Sequence, residues 1–103
     1  NNPVAQYNIG NMYCYGEGVE KDFAKGAEWL TKAALQENAP AQYNLARMYQ
    51  WGKGVEKSYQ QAIYWFQKAI DNGHGKAKVA LMKLEKKLPE EEPADSLLFS
   101  TSL

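Results

Sequence analysis

One thiol, Cys14, and one imidazole, His74, are the side chains of this sequence best suited to nucleophilic or metal chemistry near neutral pH. Neither has the company that such chemistry needs. No His lies near Cys14 in sequence to serve as its base, which predicts an inert thiol. His74 sits in the turn Asn72-Gly73-His74-Gly75, without ligand spacing to a Cys or a carboxylate cluster. Glu20 and Glu56 stand beside Lys21 and Lys57 in turns and read as solvated pairs. Gly16-Glu17-Gly18 and Gly52-Lys53-Gly54 lack the longer glycine spacing and the preceding strand of a phosphate loop. No nucleophile, base and orienting group fall together. The expectation is no enzyme, no metal and no cofactor.

Recognition is the chemistry these residues do offer. Tyr, Trp and Arg are the usual anchors of protein interfaces. Tyr7, Asn11, Tyr43, Arg47, Trp51 and Lys83 are the candidate partner-binding residues. An internal repeat places them in one row. Ala5-Gln6-Tyr7-Asn8 returns as Ala41-Gln42-Tyr43-Asn44, at a spacing of about 36 residues. Gly16-Glu17-Gly18-Val19-Glu20-Lys21 returns as Gly52-Lys53-Gly54-Val55-Glu56-Lys57, and Trp29, Lys32 and Ala33 return as Trp65, Lys68 and Ala69. Such periodicity means stacked units, each burying its apolar face on its neighbours.

Each unit reads as helix, glycine-containing turn, helix. Asn2 suits the cap and Pro3 the first position of the first helix. Ala5, Ile9, Met12, Tyr13 and Gly16 follow a three-to-four spacing and predict its core stripe. Gly16 and Gly18 end it, since glycine accepts the left-handed backbone of a helix exit. Asp22 caps the second helix, whose stripe is Phe23, Ala27, Leu30 and Ala34. The second unit repeats the plan, with Ser58 as cap and Ala62, Ile63, Phe66, Ala69 and Ile70 inward. Trp29 and Trp65 recur and read as core. A third unit begins at Lys76 and fails at Leu84-Glu85-Lys86-Lys87-Leu88, where Pro89 is expected to stop the helix. That helix reads as a polar cap.

The predicted organisation is a repeat domain over 1–88, with repeats at about 3–38 and 39–74 and a capping helix at about 76–88. An acidic and then apolar tail comes next, over 89–103. In that tail the acidic segment reads as disordered, Leu97, Leu98 and Phe99 are expected to fold back over the last helix, with docking on a neighbour or disorder as the alternatives, and Thr101-Ser102-Leu103 fits the chain-end pattern read by PDZ domains.

Composition narrows the partners. Twelve basic and 12 acidic residues give zero net charge, which argues against bulk attraction to nucleic acid or to an acidic membrane. No apolar run approaches the roughly 18 residues that span a bilayer. Cys14 is alone, so no internal disulfide braces the domain.

Ala5-x-Tyr7-x-Ile9-Gly10-x-x-Tyr13-x-x-Gly16-x-Gly18-Val19-x-x-Asp22-x-x-Lys25, followed by Trp29-x-x-Lys32-Ala33-Ala34, resembles the Sel-1-like repeat, a relative of the tetratricopeptide repeat. The second copy departs in having Ala46 for the usual Gly and Ser58 for the usual Asp; the first has Gly26 where the family prefers Ala. The resemblance implies an all-α, right-handed solenoid of antiparallel helix pairs, about two and a half repeats long, with a concave partner-binding face. It implies an adaptor or scaffold. On such a curve the row Val4, Tyr7, Asn11, Cys14, then Pro40, Tyr43, Arg47, Gln50, then Lys76, Val79, Lys83, Lys86 lines the groove, flanked by Tyr15 and Trp51. The groove then runs from aromatic and neutral to basic. Tyr7 and Tyr43 have a competing role in packing between repeats.

The functional expectation is a non-catalytic module that binds a protein or peptide segment. The alternative is the structural C-terminal end of a longer array, stacking on preceding repeats, with self-association through exposed repeat ends or tail.

Overall fold

The computed structural model describes residues 1–91, with side chains through Leu88. Among the described residues five helices succeed one another: α1 (Pro3–Tyr15), α2 (Phe23–Leu35), α3 (Ala39–Trp51), α4 (Tyr59–Asp71) and α5 (Gly75–Glu91). Among the described residues there is no strand. Packing runs in chain order: α1 on α2, α2 on α3, α3 on α4 and α4 on α5. This is the all-α solenoid expected from the repeat.

Local sequence sets the boundaries. Asn2 Oδ1 accepts from the Val4 and Ala5 amides at 2.8 and 3.3 Å. Asn38 does the same for Ala41 at 2.9 Å. Asp22 and Ser58 cap α2 and α4 through the Lys25 and Gln61 amides at 3.0 and 3.1 Å. These bonds satisfy donors that a helix start leaves open. The two turns are copies of one another. Asp22 N–H donates to the Tyr13 carbonyl at 2.8 Å, and Ser58 N–H to the Tyr49 carbonyl at 2.9 Å.

α3 lies between α2 and α4 and buries two faces. Gln42, Ala46 and Gln50 form one, and Ala41, Leu45 and Met48 form the other. α1 buries only the first kind of face, through Gln6, Gly10 and Cys14. A Cβ built on Gly10 would stand 2.8 Å from Leu30 Cγ, so this face meets α2. The predicted α1 core stripe is therefore corrected. Ala5 and Met12 are exposed, while Ile9 and Tyr13 are half-buried. Ala41, Leu45 and Met48, the α3 counterparts of Ala5, Ile9 and Met12, are buried where α3 packs on α2 of the preceding repeat, and among the described residues no helix takes that place for α1. The same asymmetry leaves Trp29 half-buried, with Lys32 Nζ 4.2 Å above its ring, whereas Trp65 is buried.

α5 is the mirror case. It buries Ala77, Leu81 and Leu84 against α4 and exposes Lys78, Met82 and Lys86. It also runs through Pro89 to Glu91, beyond the expected stop. Proline removes the bond to the carbonyl four residues back and crowds that carbonyl with its ring, a disturbance that a helix meets most easily near its end. That carbonyl belongs to Glu85, an exposed residue where water can take the donor's place. The expectations for Leu97, Leu98, Phe99 and the Thr101-Ser102-Leu103 end lie outside the described residues.

Side-chain amides stitch the repeats together. Gln42, fully buried, donates to the Ala34 carbonyl at 3.0 Å and accepts from Asn72 Nδ2 at 3.0 Å. Asn72 also donates to Glu37 Oε1 at 3.0 Å, and Lys68 Nζ lies 3.4 Å from the same oxygen. The Asn72 hydrogen bond, and then the Lys68 charge, lower the Glu37 pKa from the ordinary carboxylate value.

Candidate functional site: a two-crevice groove

The first helices of successive units, α1, α3 and α5, leave two crevices between them. The crevice between α1 and α3 is walled by Asn11, Cys14 and Tyr15 on one side and by Asn44, Arg47, Met48 and Trp51 on the other. Leu30 floors it, and Lys21, Phe23 and Lys53 close its turn end. The crevice between α3 and α5 is lined by Tyr43, Arg47, Gln50 and Trp51, facing Lys76, Val79, Ala80, Lys83 and Lys87.

Arg47 and Trp51 belong to both crevices, one helical turn apart on the ridge that separates them. The Arg47 guanidinium lies 5.1 Å from the Trp51 ring and 5.6 Å from the Tyr43 ring. A cation over an aromatic face is attracted by the ring quadrupole. The two rings thus hold Arg47 along the ridge while leaving it exposed. Trp51 is 51% exposed, although it is among the largest apolar side chains of the protein.

Asn11 lines the first crevice, with its Oδ1 accepting from Asn44 Nδ2 at 3.1 Å. That bond ties α1 to α3 across the first crevice. Tyr43 lines the second crevice and stacks on His74 with centroids 4.6 Å apart and planes at 18°. Lys83 lines it from the α5 side. Tyr7 does not join them. It lines neither crevice and packs, half-buried, against the core.

Sequence reasoning missed three positions. Lys21 and Lys53 come from the turns, and their ammonium groups sit 4.8 and 5.4 Å from the Phe23 ring, on which the two turns converge. The repeated Gly-x-Gly-Val turn is the available signal, because it fixes both lysines beside the same aromatic. Lys87 rather than Lys86 enters the second crevice. The groove therefore carries cations toward both ends, not only at the α5 end.

Cys14 and His74, the two side chains best suited to nucleophilic or metal chemistry, sit in surroundings that disfavour their charged forms. Cys14 is buried, and burial pushes its thiol pKa up despite the opposing charge of Lys21. A thiol held neutral is a poor nucleophile. Among the described residues no group of three or more His, Cys, Asp and Glu side chains could hold a metal ion. His74 has its pKa lowered, chiefly by burial and then by Lys76, and its Nδ1 is buried without a hydrogen-bond partner.

Helices packed in sequence order, with crevices between the first members of successive pairs, define a helical repeat protein of the solenoid class. The Sel1 repeat model matches this chain twice, at residues 3–38 and 39–74. The chain belongs to the Sel1 repeat family. A sel1-like repeat-containing protein of Acanthamoeba polyphaga mimivirus is 46% identical over 35 residues, which is 34% of this chain and 6% of that protein. A Sel1 repeat protein from Oxalobacter formigenes superposes with a TM-score of 0.76 at 41% identity, over 79% of this chain and 33% of that one. Cysteine rich protein B of Helicobacter pylori gives a TM-score of 0.74 at 30% identity, over 77% of this chain and 59% of that one. A protective antigen of uropathogenic Escherichia coli with an SLR fold gives 0.68 at 39% identity, over 69% and 15%. The chain thus spans a small part of the viral relative and a third of the Oxalobacter chain. Sel1 repeat proteins are generally protein-interaction modules.

Proposed function

We propose that this domain is a non-catalytic interaction module that takes a segment of a partner protein in the groove across α1, α3 and α5. The observation that carries this reading is the Arg47–Trp51 ridge. An exposed Trp and a ring-held Arg stand where both crevices can be engaged at once. Such residues, set centrally and flanked by concave surface, are the kind that dominate binding energy. Tyr43, Asn11 and Lys83 extend the contact on either side, and Tyr7 contributes packing. The test is a pull-down and titration with the intact chain and its R47A/W51A variant. Both side chains are exposed, so helix content should not change. A pair of anchors worth about 2 kcal/mol or more implies a loss of affinity of about 30-fold or more. An unchanged affinity would reject the groove as the site.

A specific observation also supports a second, structural reading, in which the chain is the C-terminal end of a longer array. The two ends are unlike. The outer face of α5 carries Lys78 and Lys86 around Met82, as a cap should, whereas the outer face of α1 carries Ala5, Ile9 and Met12. Met12 is 37% exposed, and Met48, its counterpart, is 7% exposed. If no repeat covers the α1 face, the isolated chain should self-associate through it. Sedimentation of the parent and a Met12→Lys variant tests this: the parent should form dimers or larger species and the variant should not.

A further inference from the structure

Charge narrows the chemistry of the partner, given the groove as the binding site. Six cations line the two crevices: Lys21, Arg47, Lys53, Lys76, Lys83 and Lys87. Among the described residues no carboxylate lines either one. The whole chain is neutral, with 12 acidic and 12 basic residues, so half of its cations are gathered on a surface that its described acids avoid. Lys21, Lys53 and Arg47 rest on aromatic faces, which bind a cation without neutralising it. Among the described residues Lys76, Lys83 and Lys87 make no ion pair. Their spacing along α5 puts them roughly 10 and 6 Å apart in rise, comparable to or within a Debye length of about 8 Å. They repel one another until an anion arrives.

We infer that the occupant of the groove is an acidic, extended protein segment with an apolar or aromatic side chain among its carboxylates. An extended chain advances about 3.3 Å per residue. Carboxylates two and three residues apart therefore meet the Lys83–Lys87 and Lys76–Lys83 intervals. Between these charges lies an apolar step made by Trp51 and Val79, 51% and 53% exposed, which takes the apolar side chain. The aromatic ridge and the protein's neutral overall charge favour a peptide over a nucleic acid, whose backbone needs a longer unbroken basic track.

The test is selection of random twelve-residue peptides displayed on phage against the intact chain. Parallel targets are K76E/K83E/K87E and R47A/W51A. All five side chains are exposed, and circular dichroism checks that each variant keeps its helices. The expected result is at least threefold enrichment of Asp and Glu around an apolar residue on the parent, inverted to Lys and Arg on the charge-reversed target. Synthetic copies of the selected peptides should lose at least tenfold in affinity between low and high salt. Retained peptides that are neutral or basic, yet lost on R47A/W51A, overturn the acidic class and leave the groove reading intact. Retained peptides indifferent to R47A/W51A bring down the groove reading itself. Equal binding of a mixed-sequence single-stranded oligonucleotide overturns the choice of a protein segment. Acidic peptides retained only by E90Q/E91Q/E92Q/D95N would assign the groove to the chain's own acidic run and also overturn it.

Discussion

Gly18 and Gly54 hold the same place in the two turns and share a φ of 76°, yet replacing them with Ala should have unequal consequences. Each substitution forces a side chain into left-handed backbone, at a cost of about 1–2 kcal/mol. Their surroundings then diverge. A Cβ on Gly18 finds nothing nearer than Met12 Cε at 3.8 Å, an ordinary contact. A Cβ on Gly54 lands on the Phe23 carbonyl group, 2.6 Å from its carbon, and stands 3.1 Å from the Ala24 amide nitrogen. Those are backbone atoms of the first turn of α2 and cannot step aside as a side-chain tip can. The second turn must lift away from the first repeat, at an overpacking cost of about 1–3 kcal/mol. G18A should therefore lose about 1–2 kcal/mol and G54A about 2–5 kcal/mol. At about 4–8 °C per kcal/mol, the two melting temperatures should differ by at least about 4 °C. Thermal and urea unfolding followed by far-ultraviolet circular dichroism measures both. Equal losses would refute the close approach between the second turn and α2. G54A should also weaken partner binding, because Lys53 and Phe23 close the first crevice.

Gly26→Ala should fail to give the stabilisation of about 1 kcal/mol that helix propensity alone promises. Its Cβ would meet Cys14 Sγ and lie 3.0 Å from the Gly10 carbonyl oxygen, so Gly26→Ala should cost less in a Cys14→Ala background, which removes the sulfur contact and leaves the backbone one. A urea double-mutant cycle reads the coupling, and a stabilised single variant would contradict it. Acid should weaken the fold through His74. Its folded pKa is lowered, so the unfolded chain takes up the proton first. The stability held above the ordinary value of 6.5 is lost as pH falls through the folded value. A His74→Phe variant, which keeps the stack on Tyr43, should remove that part of the loss between about pH 7.5 and 5, as read by urea midpoints across that range.

The repeat made most of the fold legible. Caps at Asn2, Asp22, Asn38 and Ser58, glycines after α1 and α3, and the spacing of Ala41, Leu45 and Met48 are short-range signals that act where they are written. What was not legible depended on neighbours. Gln42 is polar by type, yet it is fully buried because the Ala34 carbonyl and the Asn72 amide satisfy it from two other helices. Nothing local to Ala-Gln-Tyr-Asn announces that. Lys21 and Lys53 have the sequence surroundings of solvated turn residues; Lys21 is two residues from Phe23, and only the packing of the second turn on the start of α2 brings Lys53 over the same ring. Tyr7 and Tyr43 share a motif but not a role. Tyr43 has α5 and His74 on its groove side, and Tyr7 has no comparable crevice beside it.

The α1 stripe shows why the same letters mean different things at different places in an array. Ala5, Ile9 and Met12 obey the helical period as faithfully as Ala41, Leu45 and Met48, and periodicity alone assigns both to a core. Burial, however, is a property of a pair of surfaces. Ala41 and Leu45 are fully buried because α2 lies against them. The α1 face has the same chemistry and lacks the partner surface. Gly18 says the same thing from the turn: the volume that the Phe23 backbone fills beside Gly54 is open beside Gly18. Both differences are erased if another Sel1 repeat stacks ahead of α1. In a chain extended by one such repeat, Met12 should become buried and G18A should become as costly as G54A. The gap between those two melting temperatures therefore reports directly on whether the α1 face is an end or an interface.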